Sequence, residues 1–173
     1  MSPVSDLAQQ LLQCLEDAYA TVPEGDRPGQ YCLRVGEVAY SIGTAEDLCC
    51  TGFAWVRVIR VFPATEDLTE RTTAVRCAPS MWGVELEMGV IRCLPDHGSV
   101  SGATCDEWTA VFLQVDEDSA AMRRALCCMN NTSLKALPNT DVMLPVEWVP
   151  VDPQGMCVGG TMTVIVGYDC REC

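Results

Sequence analysis

Basic residues are scarce in this chain. Its 173 residues include one lysine (Lys135), one histidine (His97) and ten arginines, against 24 aspartates and glutamates, for a formal net charge of -13. So acidic a balance argues against a nucleic-acid binder that works by neutralising phosphates. No run of about 18 apolar residues is present, so no membrane-spanning helix is expected. Near the N-terminus stand Asp6, Glu16 and Asp17, where a secretory leader would carry a basic stretch and an apolar core, so no leader is expected. Neither G-x-x-x-x-G-K-[ST] nor G-x-G-x-x-G occurs, which removes the common phosphate cradles.

What is present fits a folded domain. Hydrophobic residues make up 49% of the chain and mean hydropathy is +0.13, too apolar for a mostly disordered polymer. The length suits one domain, residues 1–173. Val4, Leu7, Ala8, Leu11, Leu15 and Ala18 recur at three and four residues, the stripe of an amphipathic helix, with Ser2-Pro3 as its start. Arg34 to Ile42 reads as a short extended segment. Phe53 to Phe62 is the strongest strand, rich in β-branched and aromatic residues. Strict alternation puts Trp55, Arg57, Ile59 and Val61 on one face and Val56, Val58, Arg60 and Phe62 on the other. Pro63 to Met81 is a long polar stretch read as a loop. In Trp82 to Cys93, one face is Trp82, Val84, Leu86, Met88 and Val90; the other is Gly83, Glu85, Glu87 and Gly89.

After a loop from Pro95 to Gly102, Thr104 and Glu107 form a capping box. Helical spacing then runs through Trp108, Val111, Val115, Met122, Leu126 and Met129. Asp116, Glu117 and Asp118 lie on that helix or break it. Val146 to Val151 and Gly160 to Tyr168, joined through Asp152-Pro153-Gln154-Gly155, read as a C-terminal β-hairpin. The order of elements is that of an α+β fold, with an antiparallel or mixed β-sheet packed by two helices.

Catalytic signals are weak. His97 has no cysteine with a recognisable nucleophile signature near it, so it reads as a solvated loop residue. Glu85 and Glu87 share a strand face, but hydrolase carboxylate pairs usually come from different elements. Salt bridges to Arg57 and Arg60 are the simpler reading. Cys170 and Cys173 have C-x-x-C spacing without a second knuckle. Twelve cysteines leave disulfides, a metal or buried thiols open. The candidate disulfide cysteines are Cys32, Cys49, Cys50, Cys77 and Cys93, around the strand ends, with Cys170 and Cys173; spacing does not choose a pairing. No cofactor is expected, and no enzyme signature stands out. An assembly subunit with apolar patches buried between copies is the better reading.

Four segments carry a resemblance: FAWVRVIRVFP (Phe53 to Pro63), WGVELEMGVIRCLP (Trp82 to Pro95), RRALC (Arg123 to Cys127) and VPVDPQGMCVGGTMTVIVG (Val149 to Gly167). They resemble a family of neck proteins from tailed phages of actinobacteria, which share a W-V-R-V strand, a W-x-V-E-[LI]-x-x-G-V-x-R-C-x-P strand and a P-x-G-x-C-x-G-G-x-x-T-V-x-V-G hairpin. The likeness spans roughly Leu7 to Val166, and its motifs are structural rather than catalytic. Within neck proteins, the order of elements is most similar to a tail terminator.

That resemblance implies a non-enzymatic virion protein made in the bacterial host cytoplasm. It implies a homo-hexameric ring that caps the tail tube, meets a head-closure or connector protein and lets genomic DNA through its lumen. Candidate lumen or interface residues are Glu85, Glu87, Asp116, Glu117 and Asp118, with a solvated outer face as the competing reading. Arg71 and Arg76, in the Pro63 to Met81 loop, are candidates for contact with the next ring. A head-closure (stopper) ring is the nearest alternative, and a cysteine-based zinc or redox protein the alternative of another class.

Overall fold

A computed structural model describes residues 2–36, 52–71, 81–94, 104–130, 142–154 and 157–169. The chain starts with helix α1 (Pro3–Tyr19) and a single 3-10 turn (Glu24–Asp26). Strands β1 (Gln30–Arg34), β2 (Phe53–Pro63) and β3 (Met81–Cys93) follow. Helix α2 (Cys105–Cys128) precedes the hairpin of β4 (Val142–Gln154) and β5 (Cys157–Asp169). The sheet order is β1-β2-β3-β5-β4. Only β1 and β2 run parallel; the other pairs are antiparallel. Among the described residues the fold is therefore α+β with a mixed five-stranded sheet and two helices, and β3 is the central strand.

Both helices cover one face of the sheet. Leu7, Leu11, Cys14, Leu15 and Ala18 of α1 pack with Met122, Ala125 and Leu126 of α2 over Val56, Val84, Leu86, Met88, Val90, Met162, Val164 and Val166. Each wholly buried leucine contributes about 1.5–3 kcal/mol by leaving water. Pro3 opens α1 where a missing N–H costs nothing, although the Ser2 hydroxyl makes no capping bond. The capping box of α2 is complete: Glu107 N–H donates to Thr104 Oγ1, and Thr104 N–H donates to the Glu107 carboxylate. The acidic run Asp116 to Asp118 does not break α2.

The opposite face of the sheet has its own chemistry, and a bulge decides who belongs to it. The β2–β3 register shifts between Val58 and Arg60. One extra residue, Ile59, inverts the alternation beyond it. Arg60 and Phe62 therefore join Phe53, Trp55 and Arg57 on the face away from the helices, and the strict two-face reading of this strand is corrected. The glycines of β3 are where those aromatics rest. A Cβ on Gly89 would overlap the Trp55 ring, and one on Gly83 would lie 2.6 Å from Phe62 Cζ. Trp55 is fully buried and stacks on Phe53 at 5.7 Å. Gly89→Ala is expected to lower stability by about 1–3 kcal/mol, since an overpacked ring must leave its rotamer. Urea unfolding followed by Trp fluorescence checks this; an unchanged midpoint and emission would contradict it.

The stretch read as a loop from Pro63 to Met81 is partly ordered by local contacts. Ala64 and Glu70 form an isolated β-bridge, and Thr65 and Leu68 close the turn between them. Leu68 has φ of 56° and is buried. That left-handed backbone is uncommon for leucine and costs of order 1 kcal/mol. It places the side chain on Gly167, where a Cβ would meet Leu68 Cδ2 at 2.6 Å. The extended segment expected at Arg34 to Ile42 is corrected: the strand is Gln30–Arg34 and ends where that segment was to start. Val35 and Gly36 are not part of it, and residues 37–51 lie outside the described set.

Candidate functional site

A buried polar centre lies between the two helices and the sheet. Arg92 is on the apolar, helix-facing side of β3, and Asp118 is on the buried arc of α2. Their contact is bidentate: Arg92 Nε donates to Asp118 Oδ2 at 2.7 Å and Nη2 to Oδ1 at 2.6 Å. Tyr19, at the end of α1, donates its hydroxyl to Asp118 Oδ1 at 2.7 Å. Arg92 Nη2 also donates to the Asp26 carbonyl at 2.6 Å. The Asp118–Arg92 pair thus ties together α1, the 3-10 turn, β3 and α2. Asp118 is 1% exposed and Arg92 7%.

The pKa directions follow from this packing. Burial works against the charged form of Arg92, but the hydrogen bonds and charge of Asp118 outweigh it, and its pKa is raised. Tyr19 is pushed strongly upward, first by burial and then by the adjacent Asp118 charge. Tyr31 is pushed up to about 12, by burial and then by Glu16. Between the ordinary tyrosine value of 10.0 and about 12, the folded state keeps the Tyr31 proton while the unfolded state has lost it. Stability therefore falls as pH rises through that window. An alkaline titration is expected to show the tyrosinate signal of Tyr19 and Tyr31 arriving together with loss of circular dichroism. Ionisation of both near pH 10 in an intact fold would contradict the burial argument.

An open cleft of about 760 Å³ lies beside this centre, lined by Val22, Asp26, Arg92, Val111, Gln114 and Arg124, among others. Its arginines are already matched: Arg92 by Asp118, and Arg124 by Glu117 at 2.9 Å. Among the described residues, both lining arginines are ion-paired, and Arg124 Nε is left without a hydrogen-bond partner.

The second charged cluster is on the face away from the helices. Arg57 grips Glu87 with Nε and Nη2 at 2.7 and 2.9 Å, and Trp55 Nε1 donates to the same carboxylate at 3.2 Å. Arg60 contacts Glu85 at 2.6 Å and Glu70 at 2.7 Å, in a more exposed setting. The salt-bridge reading of Glu85 and Glu87 is the one the geometry gives.

This corrects part of the lumen set. Glu87 and Asp118 are buried and ion-paired, and Glu85 is half-buried and ion-paired, so none presents a free carboxylate to a lumen. Asp116 and Glu117 are exposed, and Glu117 pairs with Arg124. Arg71 is exposed, and its backbone N–H donates to the Pro63 carbonyl. Arg76 and His97 lie outside the described residues.

The cysteines also depart from expectation. Cys14 and Cys128 form a disulfide that links the two helices, with a Cα separation of 5.7 Å across 114 residues of sequence. Cys93 is disulfide-bonded as expected, and so is Cys157. Cys32 is free, which corrects its place among the disulfide candidates. It packs as a small hydrophobe beside Phe53, Trp55 and Ile91, and burial pushes its thiol pKa up. Cys105 and Cys127 are free and exposed. Cys49, Cys50, Cys77, Cys170 and Cys173 lie outside the described residues. Among the described residues, no three His, Cys, Asp or Glu side chains converge as metal ligands.

Sequence reasoning missed Arg92 with Asp118, and Cys14 with Cys128. The signals were present. Asp118 falls on the same helical arc as Val111, Val115 and Met122, Arg92 continues the Val84 to Val90 alternation, and Cys14 sits within the Leu11 to Ala18 stripe. A polar group at an apolar position implies a buried partner.

Among the described residues, large apolar side chains are exposed at four places. Leu33 and Val35 are at the β1 edge, Ile59 and Val61 on β2 beyond the end of its pairing with β1, Leu144, Val146 and Val149 at the β4 edge, and Trp108, Phe112 and Leu113 on the first half of α2. In that half of α2, Val111 and Val115 pack against Val158, Leu94 and Trp148. Among the described residues no helix is long and apolar enough to cross a membrane. No protein-family model matches the chain, and no curated protein is similar to it.

Proposed function

We propose that this protein is a structural ring subunit of a tailed-phage neck, most like a tail terminator. In this reading it caps the tail tube and joins it to the head connector, in the virion, and it performs no catalysis. The observation that carries the reading is the placement of exposed apolar residues on both outer strands of one sheet. Leu33 and Val35 lie at one edge, and Leu144, Val146 and Val149 at the other. Cyclic rings need two different, complementary surfaces on each subunit. Apolar groups at both ends of the sheet suit burial between copies.

The strand and hairpin motifs that resemble neck proteins point the same way. The charge also fits: six copies would carry about -78 at -13 each, and a negative channel lets DNA pass without adhering. Asp116 is the acidic candidate left exposed and without an ion pair among the described residues.

Electron microscopy of purified tail tubes mixed with the protein tests the proposal. Ring-shaped density at one end of each tube is expected. Tubes that remain bare at saturating protein would sink it.

A further inference from the structure

One cross-strand row spans the whole sheet. Arg34 of β1 is opposite Arg57 of β2, Arg57 opposite Glu87 of β3, Glu87 opposite Thr163 of β5, and Thr163 opposite Glu147 of β4. All five lie on the face away from the helices. Four inter-strand steps separate the ends, roughly 19 Å. The inner charges are satisfied within the subunit by the bidentate Arg57–Glu87 pair. The end charges are opposite in sign and exposed. Among the described residues neither makes an ion pair; the Arg34 guanidinium lies over the Phe53 ring at 5.3 Å. Apolar groups flank both, Leu33 and Val35 beside Arg34, and Val146 and Val149 beside Glu147.

Building on the ring reading above, we infer that copies of this chain dock edge to edge, the β1 edge of one copy against the β4 edge of the next. Arg34 then meets Glu147 across the contact, and the row continues from copy to copy. The occupant of each edge is a second copy because the two edges complement each other in charge and share apolar character. A contact of one edge with itself would bring like charges together. The contact is made by side chains rather than by added sheet bonds. Pro145 and Pro150 lie within β4 and lack N–H groups, and across the bulge near Val146 they share one phase of the strand. In a paired strand such prolines turn their nitrogens outward, so the free edge of β4 is poor in donors and resists strand addition.

Charge reversal tests this with full-length protein. Arg34→Glu makes both edges negative, and Glu147→Arg makes both positive. Each variant alone is expected to self-associate roughly tenfold more weakly than wild type in sedimentation equilibrium. An equimolar mixture restores opposite charges at every contact of an alternating ring, and is expected to return to within about twofold of wild type. Recovery on mixing also shows that both variants are folded. If wild type associates and the reversals change nothing, or mixing fails to rescue, the edge contact is wrong while the ring reading stands. If wild type remains a monomer at high concentration and with tail tubes present, both fall together.

Discussion

Replacing Asp118 by alanine is expected to cost about 3–5 kcal/mol of folding stability. The reason is what remains behind. Arg92 would keep its charge in a site where it is 7% exposed, with neutral partners such as the Asp26 carbonyl in place of a carboxylate, and Tyr19 would lose the acceptor of its buried hydroxyl. An ion pair of this kind adds little over an apolar substitute, but half of one is strongly unfavourable. The double variant Asp118→Leu with Arg92→Met is accordingly expected to recover much of the loss. Urea denaturation of the two proteins checks both statements. A single variant within about 1 kcal/mol of wild type would show that water reaches Arg92 in the native state.

Removing the helix-to-helix disulfide is expected to have an effect of similar size. Cys14 and Cys128 close a loop across 114 residues, and a crosslink of that span restricts the unfolded chain by about 5 kcal/mol on the entropy model. For a protein of this size that is roughly 10–20 °C in melting temperature. Cys14→Ala with Cys128→Ala isolates this bond from the bonds of Cys93 and Cys157, which a reductant would break as well. Differential scanning calorimetry reads the outcome. A double variant that melts with wild type would mean that burial between α1 and α2 alone fixes the helices.

On the proposed neck reading, the subunit would fold in a reducing cytosol and later work outside it. The apolar interface between α1 and α2 must suffice for folding, with the disulfide added afterwards.

Periodicity made much of this architecture legible. The apolar stripe of α1, the capping box of α2 and the alternating face of β3 are local patterns, and each appears where its residues place it. The C-terminal hairpin is also present, but its strands are longer than expected, and Asp152 to Gln154, read as part of the turn, belong to β4. Arg57 and Arg60 beside Glu87 and Glu85 were also legible, because neighbouring strands bring such pairs within reach. The bulge at Ile59 was not. Nothing in FAWVRVIRVF announces an extra residue, so the faces beyond it came out reversed.

The parallel β1–β2 pairing and the Arg92–Asp118 contact depend on how distant segments meet, which period cannot report. Trp108 keeps the helical spacing of its neighbours and is nevertheless exposed. The charged clusters were therefore legible as composition, arginines and carboxylates on neighbouring elements, and only partly as geometry. Of the acidic candidates, the structure leaves Asp116 and Glu117 at the surface and takes Glu87 and Asp118 into the interior.

The most direct test of the central claim, that this chain is a ring subunit, is native mass spectrometry of the full-length protein. It should be run with and without reductant and with tail tubes added, alongside metal analysis. The account predicts a metal-free hexamer, or a monomer that becomes a ring when tail tubes are supplied. A monomer that carries stoichiometric zinc and unfolds with chelator would contradict it and put the cysteine-based metal reading in its place.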